Sequence, residues 1–257
     1  MAKITADTYP QFSAAGLSRT KYMPRIAIAQ IPYFRASPIP NWLSRLLSIL
    51  LLMALLTSVL VRGINNLSDA RYCAGMGADG LIFTLDPALP GAVDAATVKE
   101  LAGWVAGVEL IGEFDEMPVS EINRLVEECG LQRVLLHQRP EAPLSVPALL
   151  HAPLFLITSN SLRNEMLLHY SPIFPAGLGV AASLDMNDLP EARQEALAEA
   201  ATQFPLWLSG AITAENVGNL LSAIQPAGLI LQGGNEIKPG LRDFDELEAV
   251  FEALEEE

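Results

Sequence analysis

Apolar residues along this chain come in short runs separated by amphipathic stretches, and the alternation repeats from about Met53 to the C-terminus. Ser58–Phe83 is one full unit. The run 54–61, β-branched at Thr57, Val59 and Val61, suits a buried parallel strand. Gly63 lets the chain turn, and Asn66 or Ser68 can cap the helix that follows. Gly77-Ala78-Asp79-Gly80 ends that helix, and Leu81-Ile82-Phe83 opens a second strand.

The same reading places strands at 56–62, 80–84, 107–114, 132–137, 153–158, 177–182, 205–209 and 228–232. Helices are expected at 68–77, 94–105, 118–129, 146–151, 160–169, 188–203, 213–224 and 242–255. Gly130 stands where a C-terminal cap belongs, and Thr213-Ala-Glu-Asn216 has the form of a capped helix start. Eight strand–helix units within residues 53–257 predict an α/β fold, a (β/α)8 TIM barrel near the lower end of that fold's length. A doubly wound open sheet is the alternative, but Arg62-Gly63-Ile64-Asn65-Asn66 is not the Gly-rich dinucleotide loop expected after its first strand.

Residues 1–52 break the pattern. They carry five prolines before residue 41, show no sustained period, and hold six basic side chains against one acid. They read as an irregular N-terminal extension, separate from a barrel domain over 53–257. Leu46–Val61 is an uncharged apolar run behind Trp42 and Arg45, short of the roughly 20 residues of a membrane span unless Trp42-Leu43-Ser44 extend it. Three readings stay open for this region: an extension ahead of a fold that effectively begins near Met53, a membrane anchor, or an acid-poor targeting peptide.

The net charge of −14 argues against nucleic acid as a partner, because such binding rests on neutralising phosphates. Cys73 and Cys129 fall in expected helices without metal-ligand spacing, so buried thiols in a reducing, cytoplasmic setting are expected, with no metal and no cofactor.

A barrel of this type places its site at the C-terminal ends of the strands. Ser209-Gly210-Ala211 closes strand 7 and Gly233-Gly234 follows strand 8. Glycines there let backbone N–H groups turn toward an anion, so a phosphorylated small molecule is the expected ligand. Arg62 and Glu113 end odd-numbered strands and can form a partly buried ion pair if both point inward. Glu109 and Glu113, four apart on one strand, share a face. His137 ends strand 4, as a base or as a hydrogen-bonded structural residue. Arg62, Glu113 and His137 are the candidate catalytic residues, and a second copy of the chain is held open as a partner.

From Val59 onward these segments resemble phosphoribosylanthranilate isomerase, a (β/α)8 barrel of tryptophan biosynthesis that performs an Amadori rearrangement. Val59-Leu60-Val61-Arg62-Gly63-Ile64-Asn65 is similar to the family's V-K-I-C-G-I-T, and Gly77–Phe83 to its G-A-D-A-I-G-F. Ile111-Gly112-Glu113-Phe114 is similar to V-G-V-F, and Val134–Gln138 to V-Q-L-H-G. Leu208–Val217 is similar to L-A-G-G-L-T-P-E-N-V, and Gly233–Asp243 to S-G-V-E-x-x-P-G-x-K-D.

The departures fall on the chemistry. The resemblance puts the family's general base, a Cys, at Arg62, and arginine cannot accept a proton. The substrate-contacting Arg after strand 2 falls on Gly91, and the family's general acid is an Asp ending strand 6, where a strand over 177–182 offers none. The expectation is an isomerase-like barrel that keeps its phosphate glycines but has little or no isomerase activity. Two alternatives are an active isomerase that uses His137 or Glu113 as base and Asp185 as acid, and a non-catalytic scaffold barrel.

Overall fold

A computed structural model describes residues 55–138, 149–151, 153–158, 179–184, 189–238 and 241–255. Eight parallel strands close into a barrel in sequence order: β1 (Ser58–Arg62), β2 (Gly80–Thr84), β3 (Glu109–Phe114), β4 (Arg133–Gln138), β5 (Pro153–Thr158), β6 (Gly179–Leu184), β7 (Leu206–Gly210) and β8 (Gly228–Gln232). Closure is made by β1 against β8, with Ser58 opposite Gly228 and Arg62 opposite Gln232. The described helices are α1 (Leu67–Gly75), α2 (Ala95–Ala102), α3 (Val119–Cys129), α4 (Glu191–Gln203), α5 (Ala214–Ile224) and α6 (Asp245–Glu252).

The period-2 pattern of the strands separates two cores. Leu60, Ile82, Ile111, Leu135, Ala181 and Ile230 fill the barrel, while Val59, Val61, Leu81 and Phe83 face the helices. The helix starts follow from local chemistry. The Asn66 side chain accepts from Asp69 N at 3.0 Å to cap α1, and Asp94 accepts from Thr97 N at 2.8 Å to cap α2. Gly130 ends α3 in the left-handed conformation (φ 67°), as its sequence position implies.

At the N-terminal end of the barrel Trp207 fills the interior, and a Cβ on Gly228 would lie 2.3 Å from the indole and 2.6 Å from Ser58 O. Arg133 stacks 5.6 Å over Trp207 and pairs with Glu109 at 3.1 Å, closing this end with a cation over a ring. The thiols of Cys73 and Cys129 are both free and buried. Burial, with a smaller contribution from Asp69, pushes the Cys73 thiol up to about 12, so it is inert at neutral pH.

Three sequence expectations are corrected. Residues 149–151 form a bend rather than the end of a helix over 146–151, because Pro153 opens β5 and a proline disfavours helical backbone before it. The rest of that helix, 146–148, and the whole of 160–169 lie outside the described residues. The last helix starts at Asp245 rather than 242. Arg242 and Asp243 belong instead to β10 (Leu241–Asp243), which pairs antiparallel with β9 (Asn235–Lys238). The dipeptide Pro239-Gly240 between them is a turn signal. Strand β6 runs two residues past the expected end, to Leu184, so the next residue is Asp185. Residue 185 itself lies outside the described residues.

The N-terminal extension, residues 1–52, also lies outside the described residues. The C-terminal part of the apolar run 42–61 is strand β1 and so belongs to no spanning helix. Among the described residues no helix is long and apolar enough to cross a membrane.

Because overpacking a closed core costs about 1–3 kcal/mol, Gly228→Ala is expected to lower stability by that amount in urea unfolding. Trp207→Leu in the same chain should recover part of the loss, since the indole is the group a Cβ would strike.

Candidate active site at the C-terminal rim

Two residues beyond the apolar interior layer, the strands turn polar. Arg62, Thr84, Glu113, His137, Ser183, Ser209 and Gln232 each follow by two positions a residue that packs inside the barrel, so they share its inward face. The buried polar side chains of the chain include three of this layer: Thr84, Glu113 and Ser209.

Glu113 is the centre. Its side chain is 0% exposed. Oε2 accepts from Arg62 Nε at 2.9 Å and from Thr84 Oγ1 at 2.9 Å. Oε1 accepts from Arg62 Nη2 and lies 2.5 Å from His137 Nε2. A contact that short to a carboxylate requires the proton on Nε2, so the His137 Nε2 edge is committed as a donor. Arg62 Nη2 also lies 3.3 Å from the same nitrogen. Burial alone would push the Glu113 carboxyl up. The hydrogen bonds from His137 and Arg62, the Arg62 charge and the Thr84 hydroxyl outweigh it and hold the carboxyl down at about 2.

The exposures are asymmetric. Arg62 and His137 keep 28% and 24% of their side chains in solvent, while the carboxylate keeps none. The surface that this cluster offers to the barrel mouth is therefore cationic and imidazole, within a chain of net charge −14.

The expected phosphate residues lie on the neighbouring arc. Ser209 is 7% exposed and shares the inward face of β7 with Trp207. Gly210 ends β7 with φ 107°, a backbone open to glycine alone. Ala211 is held by α5: Asn216 donates to Ala211 O at 3.0 Å and accepts from Thr213 N at 2.9 Å. Gly233 and Gly234 are buried, and their glycine character has a packing reason too. The Gly233 N–H donates to Arg62 O at 2.8 Å, and a Cβ on Gly234 would lie 2.4 Å from Asp243 O.

Arg242 fixes this loop. It donates from Nη1 to Gly63 O at 3.0 Å and to Gly234 O at 3.3 Å, and from Nε to Asp69 Oδ2 at 3.0 Å. Asp86 does the same work across β2 and β3, accepting from Asp115 N at 3.0 Å, Glu116 N at 3.2 Å and Ala88 N at 2.9 Å. Sequence reasoning missed both scaffolding roles. The turn signal at Pro239-Gly240 could have revealed the first by removing Arg242 from a helix. A cleft of about 550 Å³ opens beside this loop, lined by Asn65, Asn66, Ser68, Gly91, Val93 and Arg242 among others. Among the described residues no group of His, Cys, Asp and Glu could hold a metal.

The structure thus brings Arg62, Glu113 and His137 into one cluster and sets Ser209, Gly210, Ala211, Gly233 and Gly234 on the arc beside it. Comparison with known proteins agrees with the resemblance read from the sequence. No protein-family model matches the chain. A phosphoribosylanthranilate isomerase from Trichormus variabilis is 28% identical over 214 residues, 76% of this chain and 97% of that one. A second, from Gloeothece citriformis, is 29% identical over 76% of this chain and 93% of that one. The solved phosphoribosyl anthranilate isomerase of Thermus thermophilus superposes with a TM-score of 0.62 at 25% identity, covering 77% of this chain and 98% of that one. Over about three quarters of its length the chain is similar in sequence and fold to phosphoribosylanthranilate isomerases.

Against that similarity, the paired charges at 62 and 113 stand out. The family motifs quoted above place Cys at 62 and Val at 113, and this chain has an arginine and a glutamate, joined to each other.

The depressed Glu113 carboxyl gives a signed pH prediction. An unfolded-state value near 4.5 against a folded value of about 2 means stabilisation that is present above about pH 4.5 and lost as pH falls toward 2. The difference corresponds to about 3 kcal/mol. Glu113→Gln should therefore be less stable than the parent by about that amount at pH 7, and denaturant titrations should show the gap closing between about pH 4.5 and 2.

Proposed function

We propose that this chain is a phosphoribosylanthranilate isomerase-like barrel, of the tryptophan-biosynthesis family, that binds a phosphorylated small molecule at the loops after β7 and β8 and retains little Amadori isomerase activity. One observation carries the reading: Arg62 occupies the place of the family's base and is locked in an ion pair with buried Glu113. Neither partner can remove a proton from a sugar carbon. Arginine stays protonated, and a carboxylate held at about 2 is too weak a base at neutral pH. Asp185 follows β6 in the sequence but lies outside the described residues, so the reading rests on the base position. The phosphate part of the reading rests on the similarity of Leu208–Val217 and Gly233–Asp243 to the family's motifs and on the glycine backbones at 210, 233 and 234.

A second reading is favoured by His137. Its Nε2 is fixed on Glu113 while a quarter of the side chain is in solvent, which leaves Nδ1 to act as a base, with Asp185 as acid. The two readings part in a tryptophan-auxotroph complementation with the full chain. No growth, with kcat/KM at least about a thousandfold below a family enzyme, is expected for the loss of a positioned base. Growth on the unaltered chain would overturn the proposal in favour of His137.

Restoring the family's pair, Arg62→Cys with Glu113→Val, is expected to raise isomerase activity at least about tenfold, because it returns an ionisable thiol without leaving a buried charge unpaired. Millimolar ribose 5-phosphate or inorganic phosphate should raise the melting temperature of the full chain by a few degrees, as roughly any ligand of the native state alone must. Unchanged melting with both would count for a barrel that binds no phosphate.

A further inference from the structure

The clamp that removes the base also builds something. Arg62 spends Nε and Nη2 on Glu113, and among the described residues no hydrogen bond engages its third nitrogen, Nη1. Because the bonded edge meets a carboxylate with no exposure, the 28% of the arginine side chain that reaches solvent lies on the other edge. That edge is held still. A guanidinium gripped by two bonds on a carboxylate that Thr84 and His137 also fix has lost its rotamer freedom before any ligand arrives. A pre-positioned planar donor at the mouth of an apolar barrel is suited to a carboxylate.

Its place relative to the anion loops is set by the sheet. Arg62 is opposite Gln232, and the N–H of the next residue, Gly233, bonds to Arg62 O at 2.8 Å. The donor edge and the β8 loop are thus on neighbouring strands at one rim. Where the resemblance puts the family's substrate clamp, after β2, this chain has Gly91, whereas the Arg62 cation stands at the end of β1.

The geometry points to a second oxyanion subsite at Arg62, so that the ligand of this barrel is a phosphorylated aliphatic acid, such as a glycerate or sugar-acid phosphate, with its phosphate at the β7 and β8 loops and its carboxylate on the Arg62 guanidinium. The inference rests on the phosphate reading above for one end of the ligand and on the Arg62–Glu113 geometry for the other.

The test compares matched pairs by calorimetry on the full chain: 3-phosphoglycerate with glycerol 3-phosphate, 6-phosphogluconate with glucose 6-phosphate, and gluconate alone. At least one acid is expected to bind about tenfold or more tighter than its partner without a carboxylate, the usual scale of a charge-assisted hydrogen bond. Arg62→Gln strands the Glu113 charge and can fail to fold, so the deciding variant is Arg62→Gln with Glu113→Gln. It leaves the net charge of the cluster unchanged, and hence the general field, while removing the fixed donor edge. In that variant the preference should vanish while the phosphosugars without a carboxylate bind as before. Equal binding of the acid and its partner without a carboxylate in the parent chain, or a preference that survives in the double variant, overturns the Arg62 subsite and leaves the phosphate reading standing. Binding of gluconate without any phosphosugar supports the subsite and overturns the phosphate reading. No binding by any of the five overturns both.

Discussion

A carboxylate with no exposure to water must be either neutral or surrounded by donors, and at Glu113 the barrel supplies the donors. Arg62 comes from β1, Thr84 from β2 and His137 from β4, so four adjacent strands meet on one group. Removing one partner of such a pair costs about 3–5 kcal/mol, because the other charge is left buried. The cluster is a condition for the rim to exist in this form, and it decides which groups can face a ligand.

This explains why the two substitutions belong together. A cysteine at 62 and a valine at 113, as the family motifs have them, make a neutral rim with a reactive thiol. An arginine alone at 62 would be a cation at the mouth of an apolar interior without a counterion. A glutamate alone at 113 would be a buried anion that takes up a proton. Together they neutralise each other in an ion pair that Thr84 and His137 complete. The glycines at 210, 233 and 234 sit on the arc beside this cluster, at the ends of β7 and β8. Arg242 and Asp86 tie the loops around this rim to one another by bonds to backbone, which keeps the rest of the mouth in place.

Much of this was legible in the chain. Strand–helix alternation gave the barrel because β-branched runs and capped amphipathic stretches recur at a spacing that local sequence controls. The inward set also followed, since period 2 fixes which residues of a strand share a face, and Arg62, Glu113 and His137 were read from it. What escaped depended on contacts far apart in sequence. The end of β6 is fixed by pairing with β7, Ser183 opposite Ser209 and Leu184 opposite Gly210, which no local pattern announces. The β9–β10 hairpin was absorbed into a helix because Arg242-Asp243 precede a strong helical run, although Pro239-Gly240 marked the turn. The ionisation of Glu113 could not be read at all, because it depends on three donors brought by other strands.

The most direct test of the account is the ionisation of that single carboxylate. A carbon-detected NMR titration of the Glu113 side-chain carboxyl in the full chain should show it charged throughout the neutral range, with a midpoint near 2. A midpoint raised toward neutrality, as burial without its donors would give, would mean that Glu113 can take up a proton under working conditions. The rim would then contain a base after all, and the reading of this barrel as one that has exchanged proton transfer for anion binding would be wrong.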